Sequence, residues 1–283
     1  MDGSMDEVHY RLWSRIRGLH PGYHRSRTLG DGHEFREFES LLRAPDPRRL
    51  DINASLKNTF GELQVRTYRQ RSAISLNVVA DLSASMGTPG ARGKLEPLAR
   101  LVRLLGFSAA RTGDRFGFIG CDAELRRELL FPPAKSTAYA EIAERLDGFI
   151  PDNRNSTALC SAAGYLGSSS SLVFLVSDFL FSQQLFDDIL GSLARHRVIP
   201  VLFVHAVERD GPAASGLVNA VDSESGHSRL IWLRPAQRAR IREAYRVQRE
   251  RFEHDCERSG LKPLILPDTF CAEDVTRYFY PLL

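Results

Sequence analysis

Long apolar runs are missing from this 283-residue chain. Stretches such as Leu172 to Val176 fall far short of the ~20 residues a membrane helix needs, so membrane insertion is not expected. No apolar h-region of the secretory type stands at the N-terminus, and a cytoplasmic location is expected on that ground. Cysteine is scarce: four residues, at 121, 160, 256 and 271, form no CxxC pair. That spacing excludes a cysteine-rich metal site or a disulfide framework and leaves reduced packing thiols. A large excess of either charge is also absent. The net charge of +3 and pI near 8.7 do not argue for nucleic acid as a partner. No GxSxG nucleophile elbow occurs, which removes the serine-hydrolase signature. A phosphate-binding loop fails by one residue at each end. Upstream of Gly93-Lys94 the required glycine position is Thr88, and Leu95 stands where a hydroxyl should bind Mg2+.

What is present supports a packed core, with 43% hydrophobic and 26% charged residues. The length allows one large domain or two small ones. Residues 1–70 read as an N-terminal extension with short strand and helix elements, and 71–283 as an α/β domain. The first 34 residues are polar and broken by Gly18, Pro21-Gly22, Gly30 and Gly32, as in a flexible, mildly basic arm. His9, His20, His24 and His33 lie there. Pro21-Gly22 between His20 and His24 blocks the i,i+4 pairing of a helical zinc site. Phe35, Phe38, Leu41 and Leu42 would pack on one side of a short element, which Pro45 and Pro47 end. Leu50 to Leu56 is a candidate helical turn. Leu63, Val65 and Thr67 alternate with polar residues, as in a half-buried strand. Arg48, Arg49, Arg66, Arg69 and Arg71 could form a basic patch, but solvated charges and surface ion pairs are the expected reading.

From residue 72 strands and helices alternate, the pattern of a doubly wound, mostly parallel sheet. Strands are expected at 75–80, 115–121, 172–177, 198–206, 229–233 and 262–266, with 125–131 an antiparallel edge. Helices are expected at 94–111, 136–146 (capped by Ser136), 157–166, 185–195, 235–259 and 272–280. Ile241, Tyr245, Phe252 and Cys256 form the apolar stripe of the long helix. Its arginines alternate with Glu243, Glu250, Glu253 and Glu257, unlike a nucleic-acid-binding helix.

The apolar strand at 75–80 ends in Asp81-Leu82-Ser83-Ala84-Ser85. Ligands of open α/β sheets bind at the carboxyl ends of strands, near the point where strand order reverses. One carboxylate and two hydroxyls there suit a hard divalent cation. Two further loops carry oxygens: Thr157 opens a helix after a polar loop, and Asp178 ends another strand. If the strands of Asp81 and Asp178 are neighbours, their carboxylates meet at one rim, with Thr157 reaching it from the side. A cation held directly by Ser83, Ser85 and Thr157, with one or both carboxylates acting through water, keeps much of its charge. Mg2+ dehydrates reluctantly, so open positions remain for an incoming Asp or Glu of another protein. Mn2+ or Ca2+ are the alternatives.

The stretches DLSAS, STAL at 156–159 and LVSDF at 175–179 resemble the metal-ion-dependent adhesion site of von Willebrand factor type A domains, as TGDRFGFI at 112–119 resembles that fold's helix-to-strand step. The segments GDGHEF (30–35), DPRRLDIN (46–53) and LQVRTY (63–68) resemble a bacterial subset, the domain-of-unknown-function 58 family, as do VERD at 207–210 and VDSESG at 221–226. Ile52 replaces that family's usual tryptophan, and Ala-Pro-Asp at 44–46 its Pro-Gly-Asp. The resemblance implies a metal site of Asp81, Ser83, Ser85, Thr157 and Asp178. It also implies a non-enzymatic role beside a MoxR-type AAA+ ATPase, in chaperone-like maturation or metal insertion into a client. A methanol-oxidation accessory role is the narrower placement. The rival is a Mg2+-dependent phosphatase-like hydrolase using Asp81 as nucleophile. Its second acid, expected two residues on, is Ser83 here.

Overall fold

The computed structural model describes residues 7–10, 21–87, 93–135, 137–206, 208, 216–221 and 228–280, with backbone alone over 21–34, 36, 68–72, 216–221, 228–231 and 233. The Ser136 cap, His20, most of the loop between residues 87 and 93, and the VERD and VDSESG segments therefore lie wholly or largely outside the described residues. The chain divides into two compact units, one of Arg11–Ile74 with Thr112–Asp114, the other comprising the rest.

In the smaller unit, β1 (Pro21–Ser40) pairs antiparallel with β2 (Gln64–Ser72). The expected flexible arm thus gives way to strand from Pro21. Backbone pairing carries this segment, and its polar, glycine-broken side chains gave no alternation to read. Between the strands lie a 3-10 turn, Pro47–Arg49, and the short helix α1 (Ile52–Lys57). Asp51 caps α1: its Oδ1 accepts from the Ala54 amide at 2.9 Å and its Oδ2 from Arg66 Nε at 2.6 Å. Arg49 pairs with Asp46, so among the described side chains Arg49 and Arg66 are ion-paired. Val65 and Thr67 are buried as the alternation predicts. Phe35 and Phe38 meet edge to face at 5.1 Å, but both remain about half exposed, and Leu42, Ile52, Leu56 and Phe60 are exposed. This unit has too little chain to bury its apolar residues on one another.

The larger unit is built on a six-stranded sheet, in sequence order β3 (Ser75–Asp81), β4 (Arg115–Cys121), β5 (Leu125–Ala134), β6 (Leu172–Val176), β7 (Arg197–Val204) and β10 (Leu264–Pro267). Its spatial order is β10-β7-β6-β3-β4-β5. All neighbours run parallel except β4 and β5. A separate two-stranded antiparallel sheet joins β8 (Gly216–Val221) to β9 (Ser228–Leu233). Its described helices include α2 (Leu95–Thr112), α3 (Tyr139–Gly148), α4 (Gln183–Ser192), α5 (Pro235–Arg258) and α6 (Ala272–Phe279). The fold is α/β, doubly wound and mostly parallel with one antiparallel edge, as the element alternation predicts.

Central strands covered on both faces need apolar side chains throughout. Leu76, Val78, Val79, Phe118, Phe174 and Leu175 are fully buried, each contributing about 1.5–3 kcal/mol of transfer free energy. On α2, Leu98, Leu101, Val102, Leu105 and Ala109 are likewise buried. Three expectations differ. Thr157–Tyr165 is a 3-10 helix rather than α. On α5 only Phe252 and Cys256 are buried, while Ile241 and Tyr245 are half-buried. Residues 7–10, read as part of the polar arm, pack on the larger unit: the Val8 amide donates to Ser108 Oγ at 2.8 Å, and Tyr10 packs against Phe279.

The sheet's edges are guarded. At the outer edge β5 carries Pro132-Pro133 and the charged Arg126, Arg127 and Glu128, and at the other edge β10 is four residues long. From β3 the chain first goes one way, to β4 and β5, and then the other, to β6, β7 and β10. The order reverses at the β3/β6 boundary, which opens a crevice at the carboxyl ends of those two strands.

Candidate metal centre

Asp81 is the last residue of β3, and Asp178 lies two residues beyond the end of β6, the strand paired beside it. Both carboxylates are buried, Asp81 completely. Asp81 Oδ1 accepts from the Ser83 amide at 2.9 Å. Its Oδ2 accepts from two hydroxyls, Ser177 at 2.7 Å and Ser156 at 2.9 Å. Burial first, and then the negative charge of Asp178, hold the Asp81 carboxyl above the ordinary carboxylate range, against the lowering effect of the Ser177 and Ser83 hydrogen bonds.

The turn after β3 winds into a short 3-10 segment, Ala84–Gly87. That curl brings the Ser83 and Ser85 hydroxyls to 3.1 Å from each other. Asp178 Oδ1 accepts from the Leu180 amide at 3.1 Å, while its Oδ2 is buried with no hydrogen-bond partner among the described residues. The next residue, Phe179, sits at φ +55°, a conformation that bulky side chains seldom adopt. Its ring stacks on Phe252 at 4.3 Å, and its amide donates to Ser177 Oγ at 3.0 Å. Gln248 Nε2 donates to the Asp178 carbonyl at 3.3 Å. Stacking and hydrogen bonds thus hold the strained turn that presents Asp178.

Thr157 opens the 3-10 helix with its side chain exposed, and its amide donates to Asn155 Oδ1 at 3.1 Å. It is Ser156, one residue earlier, whose hydroxyl reaches Asp81. The structure therefore joins Asp81, Ser83 and Ser85 in one hydrogen-bonded turn and sets Asp178 beside Asp81. Thr157 adjoins that network through its neighbour. Ser156 and Ser177 were not singled out in the sequence, although each stands next to a residue that was.

Beside this rim, Lys94 Nζ lies 3.1 Å from the Glu208 carboxylate, both side chains buried. Lys94 is thus half of a buried ion pair. The pair lines a cavity of about 260 Å3 together with Asp178, Val204, Tyr245 and Phe252. His205, the residue after β7, has its Nε2 3.5 Å from the Asp268 carboxylate.

The donor set suits a hard cation. Two buried carboxylates lie side by side, one with an oxygen that has no hydrogen-bond partner among the described residues, and hydroxyl oxygens stand next to them. Among the described residues no group of three or more His, Cys, Asp or Glu is placed to hold a metal ion.

A mostly parallel sheet with oxygen-bearing loops at its reversal point defines an α/β domain. The profile described as "Protein of unknown function DUF58" matches residues 45–251. The chain belongs to that family. No curated protein matches the sequence. Among solved structures, an aerotolerance-related membrane protein from Bacteroides fragilis is 13% identical, with 65% of this chain and 100% of that chain covered and a TM-score of 0.39. BatB from Bacteroides thetaiotaomicron is 14% identical, with 66% and 99% covered and a TM-score of 0.38. Proximal thread matrix protein 1 from the mussel byssus, in a form with a zinc-occupied MIDAS motif, is 12% identical, with 74% and 47% covered and a TM-score of 0.37. Among the described residues no helix is long and apolar enough to cross a membrane.

Proposed function

We propose that this protein is a non-enzymatic, metal-dependent protein-interaction module of the von Willebrand factor A type. Ser83, Ser85 and Thr157 would hold the ion, with Asp81 and Asp178 acting on it through water. The observation that carries the reading is the buried, unpartnered Asp178 Oδ2 beside the buried Asp81. Two carboxylates removed from water repel each other unless a cation sits with them. The ion supplies a Lewis-acidic position for an Asp or Glu of the partner protein. This chain's residues place the hydroxyls and keep the carboxylates oriented. Mg2+ is the first choice, with Mn2+ and Ca2+ as alternatives.

Asp81 is a poor nucleophile in this setting. Both its oxygens already accept hydrogen bonds, from Ser83, Ser156 and Ser177, and no second acid stands two residues on. This favours an interaction role over a phosphatase-like hydrolase. The partner we propose is a MoxR-type AAA+ ATPase in the cytoplasm, acting with this chain in maturation of a client or metal insertion into it. A role in methanol oxidation would be one instance.

Calorimetric titration of the metal-free protein with Mg2+ tests the site. An ion that binds only the folded state adds about 2.7 kcal/mol at a hundredfold excess over Kd, read as a rise in Tm. The rise should disappear in Asp81→Ala and Thr157→Ala, and capture of the ATPase should be lost with chelator. Chelator-resistant capture would remove the ion from the interaction, and phosphate-ester turnover abolished by Asp81→Asn would establish the hydrolase instead.

A further inference from the structure

A clamp outside the ion site spans the two loops that would form it. Arg126, the second residue of β5, donates through Nε to Asp122 Oδ2 at 2.6 Å and through Nη2 to Asp152 Oδ1 at 2.5 Å, and its guanidinium lies 5.6 Å from the Phe149 ring centroid. Asp122 is fully buried, and its Oδ1 accepts from the Glu124 amide at 2.9 Å. Each acid that Arg126 grips is tied to one of the two loops. The Asp122 carbonyl accepts from the Ala158 amide at 3.2 Å, next to Thr157. Asn153, which follows Asp152, accepts through its carbonyl from the Ala84 amide at 2.6 Å, between Ser83 and Ser85. One guanidinium therefore connects the segment 152–158 to the β4–β5 turn, and that same segment holds the turn after β3.

Resting on the proposed ion site, we infer that Arg126 is its positioning residue. Through Asp122 and Asp152 it fixes the distance between the hydroxyls of Ser83 and Ser85 and that of Thr157, and so makes the site selective for a small ion. Mg2+ demands near-ideal octahedral geometry with short bonds, whereas Ca2+ accepts longer bonds and irregular geometry. A rim held by a two-armed, charge-assisted clamp favours the first; a slack rim loses that preference. Arginine suits this work because its planar fork reaches two carboxylates at fixed angles, which an ammonium does not.

The test is titration of the metal-free full chain with Mg2+ and, separately, with Ca2+, for wild type, Arg126→Ala, Arg126→Lys and Asp152→Ala, with the Tm of each metal-free variant recorded. Arg126→Ala should weaken Mg2+ binding by about tenfold or more, the scale of lost outer-shell support, and weaken Ca2+ binding less, so that the affinity ratio shifts toward Ca2+. Arg126→Lys should restore part of the ratio. Asp152 is exposed, so Asp152→Ala should fold normally and shift the ratio in the same direction, which keeps the test open if Arg126→Ala is unstable. An unchanged ratio, whether both affinities fall together or neither moves, overturns the positioning role while leaving the ion site standing. Failure of wild type to bind either ion overturns both.

Discussion

Asp81 and Asp178 stand at the carboxyl ends of two hydrogen-bonded parallel strands, both buried, the charge of one raising the proton affinity of the other. Such a pair costs stability unless a cation joins it, so removing one charge should stabilise the metal-free protein. Asp178→Asn keeps the oxygen that accepts from Leu180 and replaces the partnerless one with a donor. We expect the metal-free Tm to rise, by the equivalent of about 1 kcal/mol or more, and the Mg2+-dependent rise to vanish. A metal-free Tm below wild type would mean that the carboxylate is structural.

Asn77 is a second buried polar group without a partner. It lies in the middle of β3, fully buried, with neither side-chain polar atom hydrogen-bonded among the described residues. Asn77→Leu removes that unsatisfied amide at similar volume and should raise stability by about 1–3 kcal/mol. Opposite it in register, Gly117 has no room for a methyl group: a Cβ there would lie 2.4 Å from Asn77 Oδ1 and 2.9 Å from the Pro133 nitrogen. Gly117→Ala should cost about 1–3 kcal/mol. Urea unfolding checks both, and a destabilised Asn77→Leu would show that the amide has a partner in solution.

The cap of α1 should make the smaller unit acid-sensitive. The Ala54 amide first, and then Arg66, hold the Asp51 carboxyl below its ordinary value of 3.8. A lowered folded value means stability that is present above 3.8 and lost as pH falls below it, through the folded value. The protection factors of β2 amides against hydrogen exchange should therefore fall on acidification below pH 3.8 in wild type. Asp51→Asn should show weaker protection already at neutral pH, with little further acid response. Equal acid responses in the two proteins would remove Asp51 as the cause.

The four thiols should separate sharply by reactivity. Burial pushes Cys121 up to about 12, reinforced by Asp81 and Asp122, and burial likewise pushes Cys256 up to about 12. Since the thiolate is the reacting form, both should resist a thiol reagent until the protein unfolds. Cys271 is exposed and should label first, with the half-buried Cys160, also raised by burial, slower. Mass-spectrometric mapping of native labelling decides it; rapid labelling of Cys121 would mean that the β4 end of the sheet opens.

The parallel strands were legible in the sequence because both faces of each are covered. Val78-Val79 and Leu172 to Val176 need unbroken apolar character, and an acid at the end of such a run stands out. Asp81 and Asp178 were legible for that reason. Ser156 and Ser177 were not, since a serine beside a strand end looks the same whether it faces solvent or donates to a carboxylate on a neighbouring strand. Arg126 was hidden in the same way among the charged residues of an edge strand, because its partners are fixed by how three loops fold. β1 escaped for a different cause: its order comes from backbone pairing with β2, which leaves no period in glycine- and histidine-rich sequence. The 3-10 segment at Thr157–Tyr165 is joined at its start to Asp122 through the Ala158 amide, again a tertiary contact.

The two ends of the large sheet bear on how this molecule can be read by another. Adjacent prolines interrupt β5, removing backbone donors from one side, and β10 offers only four residues on the other. A visiting chain seeking to extend the sheet as one more ribbon would find little main chain to bind. Recognition is thereby steered away from generic backbone stickiness and onto side-chain chemistry, where a single altered atom can be noticed.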